Sequence, residues 1–397
     1  VLFRSAVEEI KIPDPSWGSE LANIILDLEK LRTKKLGGDV PPYIFFQLKD
    51  IFHILETLGS ARIEGNNTTL AEYVEKIIEN EEKKDESNDE IKNLERAIEF
   101  IEANTDEVTV LNRAFISEIH KILTKELTPP PKGEGSLYPG ELRKHPVSIK
   151  SSGHTPPPPV LLSNYFEKFV EFINTPHKEQ YQLLMVAVAH HRFEYIHPFD
   201  NGNGRMGRLL NYAFLIKLGF KVKNGRIINP SSVFYTDRDK YYDMLSKADS
   251  LEDGDILQWC EYFLLGLKNE IEKIDSLLDV GYVKTKILLP TLKIALENEH
   301  ITAQEFKILE YLINRDNMSM KAEELSFLGV SDSKAKSKMM GKLKDKNIIM
   351  PTTPNGRIYT LKFVNNYLLR GVMKVREQNG FISDFLRLNI SLYPKPV

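Results

Sequence analysis

The run His197-Pro198-Phe199-Asp200-Asn201-Gly202-Asn203-Gly204-Arg205-Met206-Gly207-Arg208 gathers a proton-transfer group, flexible glycines and two arginines into one short stretch. Gly202 and Gly204 flank Asn203, so the backbone can turn sharply there and approach a ligand closely. A helix starting at Gly204 points its unpaired N–H groups, and the positive end of its dipole, back into the loop. That is the chemistry of an anion site, most naturally for phosphate. Arg205 and Arg208, three apart, share a face of the first turn and can fork around phosphate oxygens. His197, at the mouth of the loop, is the residue type best suited to move a proton near neutral pH.

Competing readings lie in the same residues. Gly202 to Gly207 matches the dinucleotide fingerprint G-x-G-x-x-G, but that motif needs a preceding strand, and here a helical pattern and Pro198 precede it. His190, Glu194 and His197 fall on one helical face and form a candidate metal triad. Their spacing is not H-E-x-x-H, and such groups on a buried helix are more often hydrogen-bonded core. The plainest alternative is a tight interhelical loop whose arginines pair with carboxylates.

The segment resembles the signature of the Fic-domain family, H-P-F-x-[D/E]-G-N-G-R-x-x-R, in order except at one position. Ala189 to Ile196 is similar to the helix leading into that signature. Pro139-Gly140-Glu141-Leu142-Arg143 resembles the P-G-E-[FL]-R that precedes a substrate-positioning flap, with Pro156 to Pro159 following as a proline run. Arg238, Tyr241 and Tyr242 resemble an R-x-x-Y-Y element beside an adenine pocket. The likeness covers roughly residues 108–271.

The resemblance implies transfer of AMP from ATP to a Ser, Thr or Tyr hydroxyl of a target protein, with release of pyrophosphate. It assigns His197 as general base. The amides around Gly202 and Gly204, with Asn203, would hold the α- and β-phosphates; Arg205 would neutralise them and Arg208 take the γ-phosphate. The hairpin after Arg143 would hold the target's backbone by strand addition. Where the family has Asp or Glu as a Mg²⁺ ligand, this chain has Asn201, whose carbonyl can ligate a hard cation but brings no charge. Ser60-Ala61-Arg62-Ile63-Glu64-Gly65-Asn66 resembles an inhibitory [S/T]-x-x-x-E-[G/N] motif. Ser60 and Glu64 share a helical face, and Gly65 can end the helix. Docked beside Arg208, Glu64 would pair with the guanidinium meant for the γ-phosphate. The same glutamate could activate water to remove AMP.

The elements that must carry these residues read as mainly α. Ile44, Leu48, Ile51, Leu55 and Leu58 follow helical spacing after Pro41 and Pro42. Residues 79–90 hold seven acidic and two basic residues and predict a solvated segment between helices. Helices are expected near 90–103, 108–125, 161–173, 180–196, 204–218, 237–246 and 255–271. Between Thr128 and Pro159 prolines and glycines exclude helix, with a short hairpin expected at 146–153. Beyond Glu297, helical patterns at 302–314, 321–327 and 333–346 precede extended runs at 348–350 and 357–361, the element order of a winged helix-turn-helix. The expected domains are an N-terminal helical region with the inhibitory helix (1–104), a Fic-type helical core with a β-hairpin flap (105–297), and a winged helix with tail (298–397).

The 397 residues suit two or three domains, and an ordinary 42% hydrophobic content argues against overall disorder. No apolar stretch approaches membrane-helix length and the first residues lack a secretory core, so a cytoplasmic chain is expected. Cys260 is the lone cysteine, so no intrachain disulfide can form. The net charge of −3 is a cancellation: residues 301–397 carry 16 basic and 9 acidic side chains, leaving the rest acidic. Lys334, Lys338 and Lys342 line one face of the candidate recognition helix, beside an expected apolar stripe of Ala335, Met339 and Leu343, so DNA or protein contact is expected there. The leading expectation is a self-inhibited protein adenylyltransferase using ATP and Mg²⁺. The alternative is a nucleotide-sensing DNA-binding regulator with an altered core. A homodimer is left open.

Overall fold

A buried loop must be carried by helices that are buried on every side, and the helix before this one is. The computed structural model describes residues 9–33, 39–79, 85–149, 153–220, 228–275 and 279–378, with 382 and 386 besides. Its helices run, in chain order, α1 (Glu20–Thr33), α2 (Pro42–Ile63), α3 (Leu70–Glu79), α4 (Glu86–Asn104), α5 (Arg113–Leu123) and α6 (Pro159–Asn174). There follow α7 (Glu179–Ile196), α8 (Asn203–Lys217), α9 (Ser232–Tyr235), α10 (Arg238–Ala248) and α11 (Asp253–Asp275). The rest are α12 (Val280–Tyr282), α13 (Leu289–Glu297), α14 (Ala303–Asn314), α15 (Ser333–Asp345) and α16 (Leu368–Gln378). A π-helical turn, Val283–Leu288, joins α12 to α13.

The chain divides into two units. One comprises Val1–Lys35, Glu56–Thr68 and Lys84–Glu272; the other comprises Leu36–Leu55, Thr69–Lys83 and Lys273–Val397. In the first, α7 packs on α6 and α8, and α4 packs on α5 and α8. Leu183 to Phe193 of α7 are all buried, polar His190, His191 and Arg192 included. A helix hydrophobic on all sides belongs in a core, so no single face stands out. Pro159 occupies the first turn of α6, where its missing N–H costs nothing, so the proline run enters the helix instead of ending before it. α5 begins at Arg113, later than expected from Val108, because Asn112 caps it by accepting from Phe115 N. Residues 146–149 join no strand, and 150–152 of the expected hairpin lie outside the described residues.

In the second unit, Thr302 and Glu305 form a reciprocal capping box at the start of α14. β1 (Ser319–Lys321), β2 (Ile349–Pro351) and β3 (Ile358–Leu361) form an antiparallel sheet in the order β1-β3-β2, with Met320 opposite Tyr359 and Met350 opposite Thr360. Between β1 and α15 lies a 3₁₀ helix, Ala322–Leu328, ended by Gly329 at φ 75°. The buried face of α15 is Met340 and Leu343, with Met339 only half-buried, while Lys334, Lys338 and Lys342 are exposed as expected. Among the described residues, no helix is long and apolar enough to cross a membrane.

Candidate active site

Two left-handed residues bracket the loop. His197, which closes α7, sits at φ 49°, an uncommon conformation for a side chain with a Cβ. Gly202, which opens α8, sits at φ 74°, where glycine meets no such penalty. Asn203 is spent on holding this turn: its Oδ1 accepts from Phe199 N at 2.9 Å and its Nδ2 donates to Phe199 O at 2.9 Å. Its buried amide therefore braces the loop, and what remains to meet an anion is the row of N–H groups at the start of α8.

Above that row lies a cavity of about 640 Å³, lined by His197, Asn201, Gly202, Gly204 and Arg208 among others, and by Arg238, Tyr241 and Tyr242 from α10. His197 Nδ1 lies 3.3 Å from the carbonyl of Glu194. A proton held there leaves Nε2 as the basic nitrogen. Burial pushes the His197 imidazole down to about 4, so it is neutral at ordinary pH.

Arg208 is buried, yet it meets the cavity and the end of α2 at once. Its Nε donates to Ser60 Oγ at 2.8 Å, and its Nη2 donates to Ser60 O at 3.0 Å and to Glu64 Oε1 at 2.6 Å. Nη1 is buried without a partner. The Glu64 carboxylate lies over Gly204, where a Cβ would strike it. Burial works to raise Glu64, but the charges of Arg208 and Arg205, with the hydrogen bond from Arg208, together outweigh it and the carboxyl stays below its ordinary range.

Arg205 goes elsewhere. Fully buried and not a lining residue of the cavity, it donates to Glu90 Oε1 at 2.7 Å, to Glu134 Oε2 at 2.9 Å and to Glu134 O at 3.0 Å. Glu90 was expected on a solvated segment; it is 2% exposed, and its Oε2 accepts from Asn66 Nδ2 at 2.6 Å. That segment's charge is thus partly core, because α4 starts at Glu86 and turns Glu90 inward against α8.

A Mg²⁺ ion would need an outward oxygen at position 201. The Asn201 Oδ1 instead accepts from Gly202 N at 2.8 Å, and its Nδ2 donates toward Gly135 O at 3.2 Å. Neighbouring Asp200 has both oxygens engaged, one by Ser136 Oγ at 2.5 Å and the other by Leu137 N at 2.7 Å. The loop as folded does not fit the ion expected of Asn201.

Two supports escaped sequence reasoning. Gly140 N donates to His120 Nδ1 at 2.8 Å, so Nε2 carries the proton and donates to Asn201 O at 3.1 Å. His120 stacks on Phe199 with centroids 3.9 Å apart, and burial pushes it down to about 4, which keeps that tautomer uncharged. Arg143, quoted above only as part of a resemblance, donates from Nε to His197 O at 2.8 Å and from Nη2 to Pro157 O at 2.5 Å. The candidate triad residue His190 lies between Asn211 Nδ2 at 2.9 Å and the Tyr241 hydroxyl at 3.0 Å, a hydrogen-bonded core group.

Residues 110–215 match the Fic/DOC family model, so the chain carries a Fic/DOC family domain. It is 30% identical over 208 residues to the protein adenylyltransferase Fic of Drosophila ananassae, a match covering 51% of this chain and 37% of that protein. The protein adenylyltransferase Fic of Drosophila virilis is 29% identical over 208 residues, covering 51% of this chain and 38% of its own. The chain thus spans well under half the length of these relatives. A crystal structure of a Fic family protein from Desulfovibrio desulfuricans G20 superposes with a TM-score of 0.54 at 19% identity, covering 89% of this chain and 98% of that one, and shows the fold alone.

Proposed function

We propose that the Fic/DOC domain of this chain is a self-inhibited protein adenylyltransferase. The observation that carries the reading is the cavity itself, with a neutral His197, the α8 amides and a buried Arg208 nitrogen without a partner converging on it. ATP would lie with its phosphates on the α8 amides and Arg208, and its base toward Tyr241 and Tyr242. A Ser, Thr or Tyr hydroxyl of a target protein attacks the α-phosphorus as His197 Nε2 takes its proton. The bond to the β-phosphate oxygen breaks and pyrophosphate leaves. The resemblance assigned Arg205 to phosphate neutralisation and catalysis. Its burial behind the loop supports a positioning role instead, holding the start of α8 from below. Residues 146–149, in the cavity lining, would hold the target's backbone as a flap.

Self-inhibition rests on the Glu64 carboxylate, which stands on Arg208 and over Gly204, where an anion would sit. Incubation with ATP labelled on its α-phosphorus, in the presence of a cell lysate, tests both claims. Glu64→Gly is expected to raise protein labelling about tenfold or more, the equivalent of roughly 1.4 kcal/mol. Adding His197→Ala is expected to abolish it. No label in any variant would remove the activity, and equal label in wild type and Glu64→Gly would remove the brake.

The exposed lysines of α15 favour a second role for residues 298–397, read as a winged helix in a three-part chain with edges near Asn104 and Asn298. Salt-dependent DNA retention without labelling would support a nucleotide-sensing regulator over the enzyme.

A further inference from the structure

Glu194 lines the same cavity, and the transfer just described leaves it without a duty. It stands on the last turn of α7 with its side chain 12% exposed. Oε1 is sealed from solvent and has no hydrogen-bond partner. It packs against Gly207 of α8 so closely that a Cβ there would strike it. Oε2 lies 4.0 Å from His197 Nδ1. A buried carboxylate left this bare is costly, and the cost falls sharply if the group is neutral.

The charges around it decide which form it takes. His190 and His197 face it from α7, Arg208 from α8, Glu64 from the end of α2 and Tyr241 from α10. Arg208 is one cation with two carboxyls in its field, and Glu64 bonds it directly. Burial pushes Glu194 up to about 8, against the pull of Arg208 and with Glu64 adding to the rise. The two carboxyls are therefore driven apart, Glu64 ionised and Glu194 protonated.

Building on the nucleotide reading above, we propose that Glu194 touches the bound nucleotide as a neutral acid. Its O–H donates to a phosphate oxygen seated on Arg208 and the α8 amides. Its ionised form repels that phosphate and competes for Arg208. Nucleotide binding therefore takes up a proton once the pH is high enough to ionise the free protein, and Gly207 is required because any side chain there would displace the acid.

Calorimetric titration of ATP into the full chain carrying Glu64→Gly, with and without Glu194→Gln, tests this at pH 7 and pH 9 in buffers of different ionisation enthalpy. Removing Glu64 takes away the smallest influence on Glu194 and leaves burial, the largest, in place. The neighbours are silent in that window: burial holds His197 and His190 down at about 4 and about 3, and holds Tyr241 well above its ordinary value. The Glu64→Gly chain is expected to lose about tenfold or more in affinity from pH 7 to pH 9, and to take up close to one proton per ATP at pH 9. Adding Glu194→Gln is expected to keep the pH 7 affinity within about threefold and to abolish both effects, since an amide donates at any pH. A flat pH profile without proton uptake in the parent overturns the role, as does a pH slope that survives Glu194→Gln. Failure of every variant to bind ATP removes the nucleotide reading and this role together. Binding with a flat profile removes this role alone.

Discussion

Arg205 and Arg208 stand three residues apart on one helix, both fully buried and both bonded to carboxylates, yet they face opposite environments. Arg205 is held between the sealed Glu90 and Glu134, whose side chain is 41% exposed and lines the cavity. Arg208 opens onto the cavity and takes its carboxylate from Glu64, the residue just past the end of α2. Glu90 keeps 3% of its side chain exposed, whereas Glu64 keeps 27%. The lesson is that an arginine anchored on a sealed carboxylate, as Arg205 is on Glu90, stays in place whatever its second, exposed partner does, because the sealed pair has nowhere else to go. A pair with one partner at a cavity edge can exchange that partner for a ligand.

Removing each glutamate in turn is the hardest test of that contrast. Glu90→Ala leaves Arg205 its bonds to Glu134 but removes the sealed partner of both Arg205 and Asn66, and is expected to cost about 2 kcal/mol of stability, read as a lowered denaturation midpoint. Glu64→Ala leaves Arg208 its two bonds to Ser60 and opens its free end to water in the cavity, so it is expected to cost less than Glu90→Ala. Equal losses would erase the distinction between scaffold and exchangeable pair. The next largest effect is the tenfold rise in labelling with Glu64→Gly. The matching Glu90→Gly chain should show no such rise, since Arg205 does not line the cavity.

The pH dependence of stability sharpens the comparison through its sign. Glu64 is held below its ordinary value of 4.5, burial notwithstanding, so its contribution is present above pH 4.5 and fades as the pH falls further. Burial raises Glu90 above 4.5 despite Arg205, so its contribution is fully present below that pH and is lost as the pH rises through its folded value. Melting temperatures of Glu64→Gln and Glu90→Gln, each compared with wild type from pH 3.5 to pH 7, should therefore diverge with opposite slopes; parallel curves would contradict the assignment. The smallest expected effect is at Asn201, whose oxygen faces Gly202 N. Asn201→Ala should leave any Mg²⁺ dependence of labelling unchanged, and a shifted Mg²⁺ midpoint would show that the amide turns outward.

Much of the helical framework was legible because amphipathic spacing and caps are local. The patterns read at 180–196, 204–218 and 302–314 became α7, α8 and α14 within a residue or two. Ser60 and Glu64 were placed on one face by their spacing alone, and the structure sets both on Arg208. What escaped was short or context-dependent. α1, α3, α16 and the helices across 280–297 went unread, and β1, only three residues long, shows too little alternation to declare itself. Glu90 was hidden in an acidic run and Glu134 between two glycines, and nothing local tells a solvated carboxylate from one that will meet a buried arginine.

The sequence by itself determined the loop: glycine at the left-handed position 202, a helix start that exposes its amides, a histidine at the mouth and two arginines three apart in the first two turns. These follow from φ preferences and helical periodicity, which act over a few residues. Only the tertiary structure decided which arginine faces the cavity, which carboxylate stands on it and that Glu194 lies bare beside it. Those outcomes depend on burial and on charges brought from the end of α2 and from α4, 144 and 115 residues away in sequence, and from α10. Desolvation and Coulomb energy are set by distance in space, and spacing along the chain does not encode that distance.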